Sequence, residues 1–218
     1  MRDLALVAFD LDGTLVDSRT DIATAANILL VECGAQPLPE AAVVRMVGEG
    51  AATLVARLFE AAAIQPPPDA LPRFLQIYDR YLVVHTRPYP GIPDVLDELH
   101  RRYPLALLTN KPTAVTRRLM GELGLARFFD PGFVIGGDGP YPRKPDPTGL
   151  LMLARAADTT AERTCLVGDS VIDWRTARAA GAMGCVARYG FGFQGFPEAD
   201  LAAVDMLAET PAQLLALL

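Results

Sequence analysis

Lysine is absent from the first 110 residues of this chain. That excludes an enzyme needing a Schiff-base amine in that stretch. Long apolar runs are absent too. No segment approaches the ~20 apolar residues of a membrane-crossing helix, and the apolar stretch near the N-terminus is too short for a signal peptide. No membrane partner is expected, and the expected location is cytoplasmic. Basic runs are missing and the formal net charge is −6, which argues against nucleic acid as a partner. The three cysteines, Cys33, Cys165 and Cys185, lie far apart with no C-x-x-C, so reduced, buried thiols are expected. The two histidines, His85 and His100, sit in helix-like segments with no evident link to a cysteine. There is no low-complexity tract and no phosphate-binding G-x-x-x-x-G-K-[ST] loop. Gly190 to Gly195 does match G-x-G-x-x-G. A dinucleotide fingerprint should open a helix, but Phe196-Pro197 follows, so an aromatic loop near the site mouth is expected instead.

What is present is ample apolar material, 51% of 218 residues, arranged in short blocks. Leu4–Phe9, Leu105–Leu108, Phe133–Ile135, Cys165–Val167 and Gly184–Ala187 read as strands, with a weaker one at Ala203–Met206. Continuous apolar runs are what a parallel sheet covered on both faces produces. Helical patterns lie between the later strands, at Ile92–Arg102, Thr113–Leu123, Thr148–Ala157 and Val171–Ala180, and a short one closes the chain at Pro211–Leu217. This alternation predicts a doubly wound α/β fold. The gap between the first two strands is anomalous: roughly seventy residues stand where ~2–6 are usual. It carries helical patterns at Arg19–Cys33, Pro39–Val47, Ala51–Ala62 and Ala70–Val84. The expected organisation is a Rossmann-like core of residues 1–16 and 89–218, with residues 17–88 inserted as an all-helical cap. The hinges would be Val16–Ser18 and Thr86–Gly91.

The polar residues cluster where the strands end, which is where open α/β sheets bind ligands. Asp10 and Asp12 end the first strand, spaced so that both leave it on one side. One carboxylate can attack phosphorus and the other can shuttle the proton. Thr109 and Asn110 end the second strand, Lys144 lies in the loop after the third, and Asp169 follows the fourth with Asp173 one helical turn on. Three converging carboxylates, Asp10, Asp169 and Asp173, would repel unless a hard divalent cation joined them, and Mg²⁺ suits a site that also engages phosphate. The expected direct ligands are Asp10, Asp169 and the Asp12 backbone carbonyl, with Asp173 binding through water. Thr109, the Asn110 backbone N–H and Lys144 would hold the phosphate oxygens.

FDLDGTLVDS, LLTNK, RKPDP and GDSVIDWRTARAAG together resemble the four motifs of the haloacid dehalogenase superfamily of phosphohydrolases, in order and spacing. The resemblance implies Mg²⁺-dependent phosphoryl transfer through an aspartyl-phosphate, with Asp10 as nucleophile and Asp12 as general acid/base. Within that superfamily, VRMVGEGAATLV, RPYPGIPDVL, TNKPTAV and VIGGD look most like phosphoglycolate phosphatases. A small phosphorylated metabolite is the expected substrate, and the protein would be a monomer or homodimer. Other sugar-phosphate or nucleotide monophosphate phosphatases share the constellation, and a phosphomutase is a further alternative. Asp12 disfavours dehalogenase chemistry, since a departing halide needs no acid. A receiver-like phospho-switch would lack the inserted cap. Specificity is expected from the cap around Arg45, Gly48, Glu49 and Gly50, with Glu49 an odd neighbour for an anionic substrate.

Overall fold

The computed structural model describes residues 3–201 and 203–218. The chain enters through β1 (Leu6–Phe9) and reverses into β2 (Val16–Asp17). Four helices follow: α1 (Arg19–Glu32), α2 (Glu40–Val44), α3 (Ala51–Ala61) and α4 (Ala70–Tyr81). It returns through β3 (Arg87–Pro88), which pairs antiparallel with β2. Then come α5 (Ile92–His100), β4 (Leu105–Leu108), α6 (Thr113–Glu122), β5 (Val134–Ile135) and α7 (Thr148–Ala156). The last stretch holds β6 (Thr164–Gly168), α8 (Val171–Ala180), β7 (Met183–Ala187), α9 (Glu198–Leu201), β8 (Met206–Ala208) and α10 (Leu214–Leu217). Six strands form one parallel sheet in the order β5-β4-β1-β6-β7-β8. The chain thus builds outward from β1 on one side and from β6 on the other. The crevice above that switch is where such a sheet accepts a ligand.

Side chains alternate across the sheet and feed two cores. Val7, Phe9, Leu105, Leu107, Cys165 and Val167 face the larger core, which takes in α5, α6 and the four inserted helices. Leu6, Ala8, Ala106, Leu108 and Leu166 face the smaller one, closed by Leu150, Leu153 and Ala154 of α7 and Ala177 of α8. Every residue of β1, β4 and β6 is buried, as two covered faces require.

The inserted helices are tied at their exit by a buried polar anchor. Asp21, fully buried on α1, accepts from the His85 and Thr86 N–H groups and from the Thr86 hydroxyl. His85 itself lies in the loop beyond α4 rather than in a helix. Three smaller departures from expectation have local causes. The second inserted helix stops at Val44, and Pro39 serves as its N-cap. Phe133 belongs to a tight turn whose Asp130 carboxylate accepts from the Gly132 N–H, so the third strand begins one residue later. The last strand begins at Met206 because Asp205 turns its carboxylate onto the Gly184 N–H and Met206 takes the register beside Cys185.

Candidate active site

The loop after β1 sets the site. Asp10 still belongs to the sheet, its N–H donating to the Val167 carbonyl at 2.8 Å. The chain then folds back tightly: the Leu15 and Val16 N–H groups both bond the Leu11 carbonyl. Gly13 turns at φ +90°, and a Cβ there would stand 1.9 Å from an Asp169 carboxylate oxygen. Only glycine permits both that conformation and that approach. Asp12 accepts from the Ser18 hydroxyl at 2.6 Å.

Around Asp10 the expected partners converge. Lys144, buried, places its ammonium 2.8 Å from Asp10 and 2.5 Å from Asp173. Carboxylate oxygens of Asp10, Asp169 and Asp173 lie within 4.8 Å of one another, and all three residues are buried. Burial pushes the Asp10 carboxyl up to about 6, an effect that Lys144 opposes and Asp173 reinforces. Burial, then Asp173 and Asp10, raise Asp169 well above the carboxylate range. Burial alone would pull the Lys144 ammonium down, but Asp10 and Asp173 outweigh it and hold it charged. Asp173 has a second task. Its other oxygen caps α8 through the Ser170 N–H and hydroxyl, a capping box. With one oxygen on Lys144 and one on the helix, it suits an outer position better than direct ligation.

Thr109 and Asn110 are buried beside them. The Asn110 side chain braces the loop: its oxygen accepts from the Lys144 N–H at 2.9 Å, and its amide donates to the Lys144 and Gly48 carbonyls at 3.0 and 2.8 Å. Both ends of that side chain are therefore engaged. Of the four cap positions expected to set specificity, Gly48 and Gly50 line the cavity above Asp10 and Asp12. Arg45 and Glu49 are exposed and outside that lining. Glu49 forms an ion pair with Arg57, nearly two helical turns into α3.

The structure gives partners to residues for which the sequence carries no assigned role. Lys111 donates to both Asp12 oxygens at 2.9 Å and to the Tyr78 hydroxyl of α4 at 2.8 Å. It was visible as the last letter of the LLTNK block, but Tyr78 had no signal beyond a helical position. The glycine-rich stretch declined as a dinucleotide fingerprint is also at the site. The Gly192 N–H donates to Asp169 at 2.7 Å, and a Cβ on Gly190 would meet the Gly13 carbonyl at 2.2 Å and Asp169 at 2.3 Å. These glycines pack onto a carboxylate, where a nucleotide would want them open. Trp174 packs in an edge contact with Phe196 and stands outside the cavity lining.

Above the carboxylates is a cavity of about 60 Å³. Ile22, Val47, Leu54, Phe74 and Leu75 wall it, and Asp10, Asp12, Thr109, Lys111 and Tyr78 supply its polar surface. No helix among the described residues is long and apolar enough to cross a membrane.

A parallel sheet with a carboxylate-rich switch point under inserted helices defines a class of hydrolase, and the comparisons agree. The haloacid dehalogenase-like hydrolase family matches residues 7–187, and the chain belongs to that family. A phosphoglycolate phosphatase of Rhodospirillum rubrum is 42% identical over 91% of this chain and 84% of its own length. A plasmid-borne phosphoglycolate phosphatase of Cupriavidus necator is 38% identical over 95% of this chain and 92% of its own. A crystal structure described as a predicted phosphoglycolate phosphatase, from Haemophilus somnus 129pt, superposes with a TM-score of 0.91 at 27% identity, covering 100% of this chain and 99% of that one.

Proposed function

We propose that the protein is a Mg²⁺-dependent phosphomonoester hydrolase whose substrate is 2-phosphoglycolate. One observation carries the chemistry: Asp10 after β1, Asp169 after the adjacent β6, Asp173 on α8 and Lys144 in the loop after β5 are brought together, buried. A buried site with three carboxylates and one ammonium at its centre is short of positive charge. Its donors are all hard oxygens, which fits Mg²⁺. Asp10, Asp169 and the Asp12 backbone carbonyl would hold the ion, with Asp173 reaching it through water. Bound there, Mg²⁺ would screen the carboxylate from the anionic ester.

The chain's own groups then divide the work. Lys144 holds Asp10 ionised and faces a phosphoryl oxygen, while Thr109 and the Asn110 backbone N–H take the others. An Asp10 oxygen attacks phosphorus, the bond to the ester oxygen breaks, and Asp12 delivers a proton to that oxygen. Water then attacks the aspartyl-phosphate, Asp12 takes back its proton, and phosphate leaves with the Asp10 carboxylate restored. The inserted helices, residues 17–88, act as the cap, with the paired β2 and β3 as its double hinge. Closure would exclude water and seat the leaving group.

The small cavity and its apolar wall support a small substrate over a sugar or nucleotide, whose hydroxyls would be buried without partners. Phosphate release from a panel of phosphoesters, with and without Mg²⁺, tests the reading. Wild type should favour 2-phosphoglycolate, and Asp10→Asn should abolish turnover. Normal Mg²⁺-dependent release by that variant would overturn the nucleophile assignment.

A further inference from the structure

Among the described residues, Lys111 is the one cation lining the cavity. Lys144 stands outside that lining, ion-paired with Asp10 and Asp173. Arg143 is exposed at the rim, its Nε donating to the Gly137 carbonyl at 2.6 Å. Arg45 stands outside the lining. Lys111 is buried, with 5% of its side chain exposed, so it was brought into the cavity at a desolvation cost.

Its three N–H groups are shared between one carboxylate, Asp12, which takes two, and one hydroxyl, Tyr78. The Tyr78 oxygen accepts from Lys111, so its own hydrogen still needs an acceptor. No acceptor for it is found among the described residues within the cavity. Burial pushes the Tyr78 hydroxyl up to about 12, so it keeps that hydrogen near neutral pH. A carboxylate entering the cavity could take the Tyr78 hydrogen and one Lys111 N–H released from Asp12, two donors whose heavy atoms lie 2.8 Å apart.

Position selects the carboxylate. Lys111 bonds Asp12, the group that would meet the ester oxygen, and a hydrogen bond spans ~2.8 Å. A carboxylate one carbon away from that ester oxygen therefore falls beside Lys111 and Tyr78. One further out would have to enter the apolar wall of Ile22, Leu54 and Phe74.

We infer that Lys111 and Tyr78 form the specificity pair that receives the α-carboxylate of the leaving group, restricting the enzyme to phosphate esters of small 2-hydroxy acids. The inference rests on the phosphatase reading of this site and deepens it. It also assigns specificity to one core residue and one cap helix, in place of the exposed Arg45 and Glu49.

The test compares 2-phosphoglycolate with ethyl phosphate, which lacks only the carboxylate function, in wild type, Lys111→Met, Lys111→Arg and Tyr78→Phe. Wild type should prefer 2-phosphoglycolate in kcat/KM by about 100-fold or more. Lys111→Met should cut that preference below about tenfold, mainly through KM, and Tyr78→Phe should cut it less. Lys111→Arg should restore part of it. A Lys111 that acts only by orienting Asp12 would lower both esters alike, and an unchanged ratio in Lys111→Met overturns the inference. Calorimetric binding of glycolate, which needs no turnover, gives a second readout: wild type should bind it and Lys111→Met should not. Equal binding by both overturns the inference. Failure of the phosphatase reading is distinct, since it shows as no release from any ester, and glycolate binding still decides the role of Lys111.

Discussion

Consider the protein stripped of divalent metal and titrated. Asp10 has an ordinary carboxyl value of 3.8 when unfolded and about 6 when folded, because folding buries it. Below the lower value both states are protonated and the residue does not affect stability. Between the two, the folded state keeps a proton that the unfolded state has lost, so stability falls as pH rises. Above the higher value both are ionised and the whole penalty is present. A rise of about two pH units corresponds to roughly 3 kcal/mol. Asp169 is raised in the same direction, so the decline continues past the Asp10 titration. A Mg²⁺ ion among these carboxylates opposes the penalty by binding their ionised form.

Thermal unfolding in chelator and in excess Mg²⁺, from about pH 4 to about pH 8, measures this. At ~2–4 °C per kcal/mol for a chain of this length, Mg²⁺ should raise Tm by roughly 6–12 °C at the alkaline end. The gain should shrink to near nothing at the acid end, where the carboxyls hold protons. Asp10→Asn removes one of the two contributions and leaves that of Asp169. Its metal-free Tm should exceed that of wild type at the alkaline end and vary less with pH, and its response to Mg²⁺ should be smaller. A Mg²⁺ increment that is the same at both ends of the range would refute the reasoning, because it would place the ion on groups that do not titrate there.

Two further outcomes follow from the geometry. Gly190→Ala drives a methyl into the Gly13 backbone and Asp169; overpacking of this kind costs ~1–3 kcal/mol. Displacing Asp169 should raise the Mg²⁺ needed for half-maximal phosphate release by about tenfold, and a variant with unchanged Mg²⁺ dependence would show that the loop does not hold that carboxylate. Glu49→Gln breaks an ion pair whose side chains are 37% and 46% exposed; this should cost about 1 kcal/mol or less and leave kcat/KM for 2-phosphoglycolate within about twofold, whereas a large loss would return Glu49 to the substrate.

The sheet and the polar residues above it were legible because the central strands are continuous apolar blocks that end in polar groups. Asp10, Thr109 and Asp169 are punctuation of that kind, which chain topology brings together, and Lys144 joins them from the loop after β5. Two parts were hidden for different reasons. The glycines at 190 and 192 matched a pattern whose usual meaning they do not carry. Their role is steric, set by a carboxylate 23 residues back along the chain from Gly192, and no local signal describes such a close approach. Of the four cap positions expected to set specificity, Gly48 and Gly50 line the cavity and Arg45 and Glu49 do not, because spacing puts all four near the cap's contact loop without saying which way each side chain turns. Arg57, which forms the ion pair with Glu49, looks in the sequence like any solvated helix arginine.

Lys111 shows how cap and chemistry are joined. Asp12 is held on one side by Ser18, at the start of the cap segment, and on the other by Lys111 of the core. Tyr78, on the last of the four cap helices, reaches the same ammonium. A cap that swung away would withdraw the Tyr78 oxygen and leave Lys111 with Asp12 alone. A substrate carboxylate drawn to Lys111 and Tyr78 together would favour the closed arrangement and compete with Asp12 for the ammonium. On the proposed reading, the leaving group that best engages the pair is also the one that best holds the cap over the site. Selectivity for a small carboxylate and closure of the cap would then have one physical origin: a single buried lysine shared between substrate, Asp12 and cap.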